Sequence, residues 1–336
     1  MRKDALLYEK LDQSRVHCLL CAHECRIADG KPGFCGVRLN EGGVLKTLVY
    51  GDAIAANVDP IEKKPLYHFL PGTKAFSLAT AGCNFRCSFC QNWQISQLTG
   101  DQADTAPHVH MMPEDIVSRA VTHRCASIAY TYTEPTVFFE YAYDTAEKAA
   151  EQGIRNVFVT NGYMTRNALE TIQPFLDAAN VDLKSFRDDY YRRLCKARLA
   201  PVLDSIRTMK ELGIWVEVTT LVVPDENDSE SELTDIAQFI AGVDRGIPWH
   251  ISRFHPEYEY DHQRATPLST LETARAIGQE AGLDYIYLGN VASDPNTYCP
   301  ECGDELVRRD RPPLGGMNIA NGVCASCGAV IPGVWQ

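Results

Sequence analysis

The sequence predicts an α/β protein, a partial (β/α)6 TIM-like barrel with small metal-stapled N- and C-terminal annexes. Three observations carry that expectation. From Lys74 onward, short apolar runs rich in β-formers alternate with longer segments of helical period, the pattern of βα units and a parallel sheet. Six such repeats are too few to close a standard eight-stranded barrel, which leaves it open to a large substrate. On both sides of the repeats cysteines gather, and in the N-terminal part Gly30, Gly33, Gly36, Gly42 and Gly43 mark a turn-rich segment that depends on something other than a core.

The first strand is Ala75 to Thr80 and leads straight into a cysteine-bearing loop. Pro113-Glu114-Asp115 opens a helix, with proline at its first position and acids in the first turn. Ser127 to Thr131 is the second strand and Pro135 to Gln152 a long helix; Val157 to Thr160 is the third strand, with a helix from about Thr165. Val181 to Lys184 is the fourth strand, and Pro201 to Leu212 a helix stopped by Gly213. The fifth strand, Ile214 to Val222, alternates and is β-branched, and the sixth is Trp249 to Phe254. The last two helices carry capping boxes, Ser229 with Glu232 and Ser269 with Glu272, and Tyr285 to Leu288 adds an edge strand. These elements divide the chain into an N-terminal cysteine-rich region (1–69), a core barrel (70–292) and a zinc-ribbon-like C-terminal domain (293–336).

Composition sets the class. Of 336 residues, 45% are hydrophobic and 23% charged, ordinary for a globular enzyme. A net charge of -12 argues against a surface that holds nucleic acid by phosphate neutralisation. No stretch approaches the ~20 apolar residues that cross a bilayer, and Met1-Arg2-Lys3-Asp4 leads into charged sequence, so the expected location is the cytoplasm, with no membrane partner. Thirteen cysteines in such a chain bind metals rather than form disulfides. Eleven fall into three clusters; Cys125 and Cys195 stand apart and are expected to be structural.

The central cluster is Cys83, Cys87 and Cys90, a C-x3-C-x2-C loop with Phe89 just before its last thiol. Three thiolates on one short loop hold three corners of a cubane iron-sulfur cluster, whereas a closed electron-transfer cluster is held by four cysteines. One iron is thus left open to a small molecule, as in metal sites that keep a position free of protein. The alternative, a zinc knot or disulfide pair, lacks zinc's fourth ligand. The loop resembles that of the radical SAM superfamily, and its tail Cys90-Gln91-Asn92-Trp93 resembles the branch that contains the activating enzymes of glycyl-radical proteins. The resemblance implies a 4Fe-4S cluster that binds S-adenosyl-L-methionine at its open iron and cleaves it reductively to methionine and a 5'-deoxyadenosyl radical, with Phe89 against the adenine.

Further candidates lie at the carboxyl ends of the strands, where the following loops open on one face. Thr131-Tyr132-Thr133-Glu134-Pro135 stands where radical SAM proteins carry a Gly-Gly-Glu-Pro-like segment, which implies that Thr133 and Glu134 hold the methionine ammonium; a helix-capping glutamate is the plainer alternative. Asn161, after the third strand, is placed to bond a ribose hydroxyl, or to make an ordinary Asn-Gly turn. Asp182-Leu183-Lys184 resembles the Asp-x-Lys pair of the activating enzymes, which places Asp182 at the methionine carboxylate and Lys184 facing the cofactor; an ion pair at the barrel mouth is the alternative. His255 stands where those enzymes carry a histidine near the adenosyl group, Arg253 is a candidate partner for a carboxylate, and His250 reads as core.

Cys299, Cys302, Cys324 and Cys327 form two C-x2-C-Gly knuckles, a zinc-ribbon signature in which four thiolates close a tetrahedral site. Zinc is expected there ahead of a rubredoxin-like iron or a second cluster. Cys18, Cys21, Cys25 and Cys35, with His17 and His23 beside them, share one ion or cluster; zinc, an auxiliary iron-sulfur cluster and unliganded thiols all remain open.

The run Asp59-Pro60-Ile61-Glu62-Lys63-Lys64-Pro65-Leu66-Tyr67-His68-Phe69-Leu70-Pro71-Gly72, the cluster loop with Gln91-Asn92, and Tyr132-Thr133-Glu134-Pro135-Thr136 together resemble one narrow family, the AmmeMemoRadiSam system radical SAM enzymes, homologues of pyruvate formate-lyase activating enzyme. That resemblance runs from Cys18 to about Gly289. It implies association with Memo-like and AMMECR-type proteins and a low-potential electron donor, a flavodoxin or ferredoxin. The expected activity is hydrogen abstraction from a substrate, a protein partner in the first instance; a small molecule or nucleotide, and a non-catalytic metal-binding scaffold, are the alternatives.

Overall fold

The computed structural model describes residues 1–99, 102, 105–309 and 314–336. Its centre is an eight-stranded sheet whose strands lie side by side in chain order: β1 (Ala55–Pro60), β2 (Lys74–Ala79), β3 (Ser127–Tyr130), β4 (Arg155–Thr160), β5 (Ala178–Asp182), β6 (Trp215–Val222), β7 (Trp249–Arg253) and β8 (Ile286–Gly289). From β2 to β8 every pairing is parallel. Strand β1 runs antiparallel to β2, with Ala55 opposite Ala79 and Pro60 opposite Lys74. The sheet therefore reaches back past the expected boundary at residue 70. Alanine, asparagine and proline in Ala-Ala-Asn-Val-Asp-Pro are weak strand formers, and the pairing is fixed instead by non-local backbone bonds to β2.

Helices α1 (Pro113–Thr122), α2 (Phe139–Glu151), α3 (Arg166–Ile172), α4 (Ala200–Glu211), α5 (Glu230–Val243) and α6 (Leu268–Glu280) return the chain between strands. The Asp115 carboxylate accepts from the Met112 amide at 2.9 Å and so caps α1, with Pro113 at its first position. The long helix expected from Pro135 begins as a 3-10 turn, Pro135–Phe138, before α2. Ser229 Oγ accepts from Glu232 N at 3.3 Å, but the Glu232 carboxylate does not complete the box; it accepts from the Phe186 amide at 3.0 Å and from the Ser185 hydroxyl, tying α5 to the loop after β5. The second box does not form either, because Pro267 is the N-cap of α6 and Ser269 already lies inside the helix.

The annexes dock at different places. In the N-terminal one, the three-stranded sheet of Lys3–Asp4, Val44–Thr47 and Arg38–Glu41 is locked to α2 by a buried ion pair, Arg38 Nη2 to Glu140 Oε1 at 3.0 Å. The C-terminal annex packs Leu306, Ile319 and Ile331 against Tyr285 and Tyr287, where β8 starts. Among the described residues no helix is long and apolar enough to cross a membrane.

Candidate active site

Parallel strands that end on one face bring their following loops together, and here those loops enclose a cavity of about 340 Å³. Cys83, Cys87 and Cys90 line one side; Thr133, Glu134, Asn161, Asp182 and Lys184 line the rest, with Phe89 among them. Every cofactor-binding residue expected from the sequence except His255 is in this one cavity. His255 is exposed on the loop after β7, because the strand ends at Arg253, whose Nε is tied to Thr266 O at 2.7 Å. Ser252 and Asn290 occupy that side of the cavity instead.

The cysteine loop is held on three sides. Arg86 N and Ser88 N, either side of Cys87, donate to Cys195 O and Leu194 O at 2.9 and 3.0 Å. Those carbonyls belong to a π-helical turn, Tyr191–Cys195, a rare element that recurs at functional sites. Phe85 N donates to Cys83 Sγ at 3.3 Å, and Cys90 Sγ lies 3.2 Å from Ser96 Oγ. Phe89 is buried and packs against the rings of Tyr190 and Tyr260 at 5.9 and 6.2 Å.

The three thiols perturb one another. Burial, then Glu134 and Cys87, pushes Cys83 well up; a hydrogen bond with Cys195, then burial, does the same to Cys87; burial and then Cys87 raise Cys90. Thiols so placed ionise only when a cation arrives, which is how a bound metal inverts local proton affinities. Beside Cys83, Asn84 Nδ2 is buried with no partner, although its Oδ1 accepts from Asn161 Nδ2 at 2.7 Å. A three-thiol cradle backed by an unanswered donor fits an anionic iron-sulfur cluster.

Opposite the thiols, Glu134 is buried. Its Oε1 accepts from Thr136 N at 3.0 Å and from Thr160 Oγ1 at 2.8 Å, and its Oε2 from Asn161 N at 2.8 Å. Burial outweighs these bonds and pushes its carboxyl up. Asp182 and Lys184 meet at 2.8 Å. Burial works against the Lys184 charge, but Asp182 and Cys87 outweigh it and hold the ammonium well above its usual range.

Sequence reasoning gave no role to Asp59, Lys64 or the side chain of Tyr132. Tyr132 takes φ +63, the left-handed conformation that glycine adopts freely. It is held there by three contacts: its OH donates to Asp59 Oδ2 at 2.5 Å, Asn92 Nδ2 donates to its carbonyl at 2.8 Å, and Lys64 Nζ lies 4.5 Å from its ring centroid. These offset the cost of about 1–3 kcal/mol for the strained backbone. Lys64 Nζ also donates to Asp59 Oδ2 at 2.8 Å. Burial works against the Asp59 carboxylate, but bonds from Lys64, Tyr132 and Lys63 outweigh it and hold the carboxyl below its usual range. The signals for this cluster were the density of charge between Pro60 and Pro65 and the place of Asp59, Lys64 and Tyr132 in the runs that carry the family resemblance.

The sequence profile of the Radical SAM superfamily matches residues 77–239, the stretch that supplies β3 to β6 and the whole cysteine loop. The chain belongs to the radical SAM superfamily. That membership implies a 4Fe-4S cluster and S-adenosylmethionine binding, and the matched stretch includes the three-thiol loop. Uncharacterized protein MJ0808 of Methanocaldococcus jannaschii is 45% identical over 334 residues, 98% of either chain. Pyruvate formate-lyase-activating enzyme of Clostridium pasteurianum is 23% identical over 168 residues, 48% of this chain and 67% of its own. In fold, the chain is similar to Streptococcus suis SuiB in its crystal structure bound to precursor peptide SuiA, with a TM-score of 0.51, 13% identity, and coverage of 69% of this chain and 52% of that one. The radical SAM core therefore relates this protein to glycyl-radical activating enzymes at a distance.

Among the described residues, Cys299, Cys302, Cys324 and Cys327 form a second candidate metal centre, with all four sulfurs within 4.8 Å of one another. Cys299 and Cys327 are 3.6 Å apart, and Cys302 and Cys324 3.8 Å. Metal-sulfur bonds of about 2.3 Å in a tetrahedron require a separation of about 3.8 Å. Gly303 and Gly328 turn each knuckle at φ +77 and +78 and donate back to Cys299 O and Cys324 O at 2.9 and 2.8 Å.

Proposed function

We propose that this protein is a radical SAM enzyme of the AmmeMemoRadiSam type that abstracts hydrogen from a protein partner. With its cluster reduced, the site supplies an electron that divides S-adenosylmethionine into methionine and a 5'-deoxyadenosyl radical. Cys83, Cys87 and Cys90 bind the cluster. Glu134, whose carboxylate has no cationic partner within 4.0 Å among the described residues, receives the methionine ammonium, with Thr133 bonding the strand edge beside it through Thr80 O at 2.9 Å. Lys184 faces the methionine carboxylate, and Asp182 keeps that ammonium oriented. Phe89 walls the adenine side and excludes water, and Asn161 meets the ribose.

Three loop thiols facing a buried, cation-free glutamate across one cavity carry this reading. A flavodoxin or ferredoxin donates the electron, Memo-like and AMMECR-type proteins are the candidate partners, and the ribbon holds zinc. The work is placed in the cytoplasm, where thiols stay reduced. Residues 1–69 act as the metal annex, apart from the strand Ala55–Pro60 that they lend to the core sheet, 70–292 as the catalytic core and 293–336 as the ribbon.

A second reading, a small anionic substrate, is favoured by Lys63 and Lys64, which line the same cavity. The two are separated by anaerobic turnover with deuterated candidates: deuterium appears in 5'-deoxyadenosine only with the true substrate. A protein with its full cluster and strong reductant that yields no 5'-deoxyadenosine would sink both and leave a metal-binding scaffold.

A further inference from the structure

Cys18, Cys21, Cys25 and Cys35 line a single pocket, with Arg38 and Gly33 in its wall. Two of its features separate it from the ribbon. The ribbon sulfurs all lie within 4.8 Å of one another, and among the described residues no three other cysteine, histidine or acidic ligand atoms do. The N-terminal sulfurs thus surround one space, but no three of them close to the separation of the ribbon ligands. Thiolates on the separate irons of a cubane have that wider spacing, since each grips a different corner of the cluster.

The second feature is Arg38. It is 2% exposed, its Nη1 donates to Glu140 Oε2 at 3.1 Å and its Nη2 to Leu6 O at 2.8 Å. Its Nε is buried with no partner. An unanswered N–H on a guanidinium that lines a pocket of four thiols calls for an anionic acceptor, and the sulfides of a thiolate-ligated cluster are such acceptors.

The pocket abuts the loop that carries the three catalytic-site thiols. His23 Nε2 donates to Asn84 O at 2.7 Å, and Arg86 Nη2 donates to Phe34 O at 2.8 Å. Gly82, at φ +92, lies so close that a Cβ there would stand 3.3 Å from Cys35 O. Cys21 and Cys25 are only half-buried, so the pocket lies between solvent and the loop.

We propose that Cys18, Cys21, Cys25 and Cys35 hold a second cubane iron-sulfur cluster, closed by four thiolates, that serves as the electron-entry centre for the loop cluster. A reduced flavodoxin or ferredoxin loses one electron, the N-terminal cluster gains it, and the loop cluster receives it in turn. The site itself stands on the pocket geometry alone; the entry role rests on the loop reading above.

The test uses the full chain reconstituted without oxygen. In the variant Cys83→Ala/Cys87→Ala/Cys90→Ala, about four iron and four sulfide per chain remain, with a reduced-state EPR signal that S-adenosylmethionine does not shift. Zinc in place of that iron overturns the proposal. Should the variant fold poorly, the unaltered chain reports the same fact: two reduced signals, only one of them shifted by S-adenosylmethionine, support the second cluster, and a single signal overturns it. Failure of the loop reading shows separately, as the absence of any S-adenosylmethionine-sensitive signal. For the entry role, Cys21→Ser/Cys25→Ser loses reduction of the loop signal by reduced flavodoxin but keeps it with dithionite; reduction by flavodoxin as in the unaltered chain overturns that role.

Discussion

Two buried glutamates sit at opposite ends of the barrel, and they show how the same local chemistry serves two purposes. Glu134, at the mouth, is 1% exposed, and Glu217, at the floor, is 0% exposed. Each accepts four hydrogen bonds. Glu134 receives them from Thr136 N, Thr136 Oγ1, Thr160 Oγ1 and Asn161 N. Glu217 receives them from Tyr67 N, His68 N, Trp215 Nε1 and His250 Nε2. Burial opposes both charges, yet it wins at Glu134 and loses at Glu217, where the rings of His250 and His68 hold the carboxyl down. At the floor the carboxylate has an imidazole against it, at 2.6 Å from His250 Nε2; at the mouth every donor is a hydroxyl or a backbone amide. The floor carboxylate has its partner within the protein; the mouth carboxylate lies beside a cavity, where the proposed function gives it a cationic ligand.

The comparison assigns chemistry to the mouth and stability to the floor, and substitutions should divide accordingly. The largest effect is expected from Cys87→Ala: loss of the loop cluster and of 5'-deoxyadenosine formation, with one metal per chain kept in the ribbon, read by iron, sulfide and zinc analysis. An intact S-adenosylmethionine-cleaving centre in that variant would refute the site. Next comes Glu217→Gln, which turns one acceptor oxygen into a donor facing donors already committed to it. Breaking a buried pair in this way costs about 3–5 kcal/mol, measured as a lower urea midpoint, with S-adenosylmethionine affinity unchanged. A shift in that affinity with no loss of stability would invert the assignment.

How much of this was legible depended on whether the signal was local. The apolar runs around Phe76, Ile128 and Val218 announced their strands, and the C-x3-C-x2-C loop announced the mouth. Strand β5 was expected from Val181, yet it begins at Ala178, because Ala-Ala-Asn carries little β propensity and is held by burial and by Asn180 Nδ2 bonding Pro65 O at 2.7 Å. Strand β1, the Asp59–Lys64–Tyr132 cluster and the whole floor share that character. Glu217 and His250 lie 33 positions apart and meet at 2.6 Å only because β6 and β7 are neighbours. His250 was legible as core, but its carboxylate partner was not. His255 misled because position after a strand end fixes the face of the barrel, not the direction of a side chain beyond the last ladder bond.

At the mouth, Glu134→Gln sharpens the contrast. Burial already works against its charge and pushes its carboxyl up, whereas the Glu217 carboxyl is held down, so neutralising Glu134 costs less stability than the same change at Glu217. The loss falls on the ligand instead: a charge-assisted hydrogen bond of about 1.5–3 kcal/mol corresponds to about 10- to 150-fold weaker S-adenosylmethionine binding, read by calorimetry on the cluster-loaded protein. Equal affinity in the two proteins would remove the ammonium from Glu134.

The smallest effect tests the floor by pH. His68 is fully buried, with Nδ1 2.8 Å from Pro332 O and Nε2 2.8 Å from the Tyr287 hydroxyl. Burial lowers its pKa to about 4. The unfolded chain, with an ordinary histidine near 6.5, therefore binds more protons than the folded one between about pH 6.5 and 4, so stability falls as the pH drops through that window. At pH 5 the cost is about 2 kcal/mol relative to pH 7. Because His68 joins the segment after β1 to the C-terminal tail, where Val334 N donates to His68 O at 2.7 Å, the loss should show first as amide exchange in the tail and ribbon. His68→Gln keeps a donor and an acceptor but does not titrate, and it should flatten this part of the stability curve. An unchanged slope between pH 7 and 5 in that variant would move the titration away from the floor.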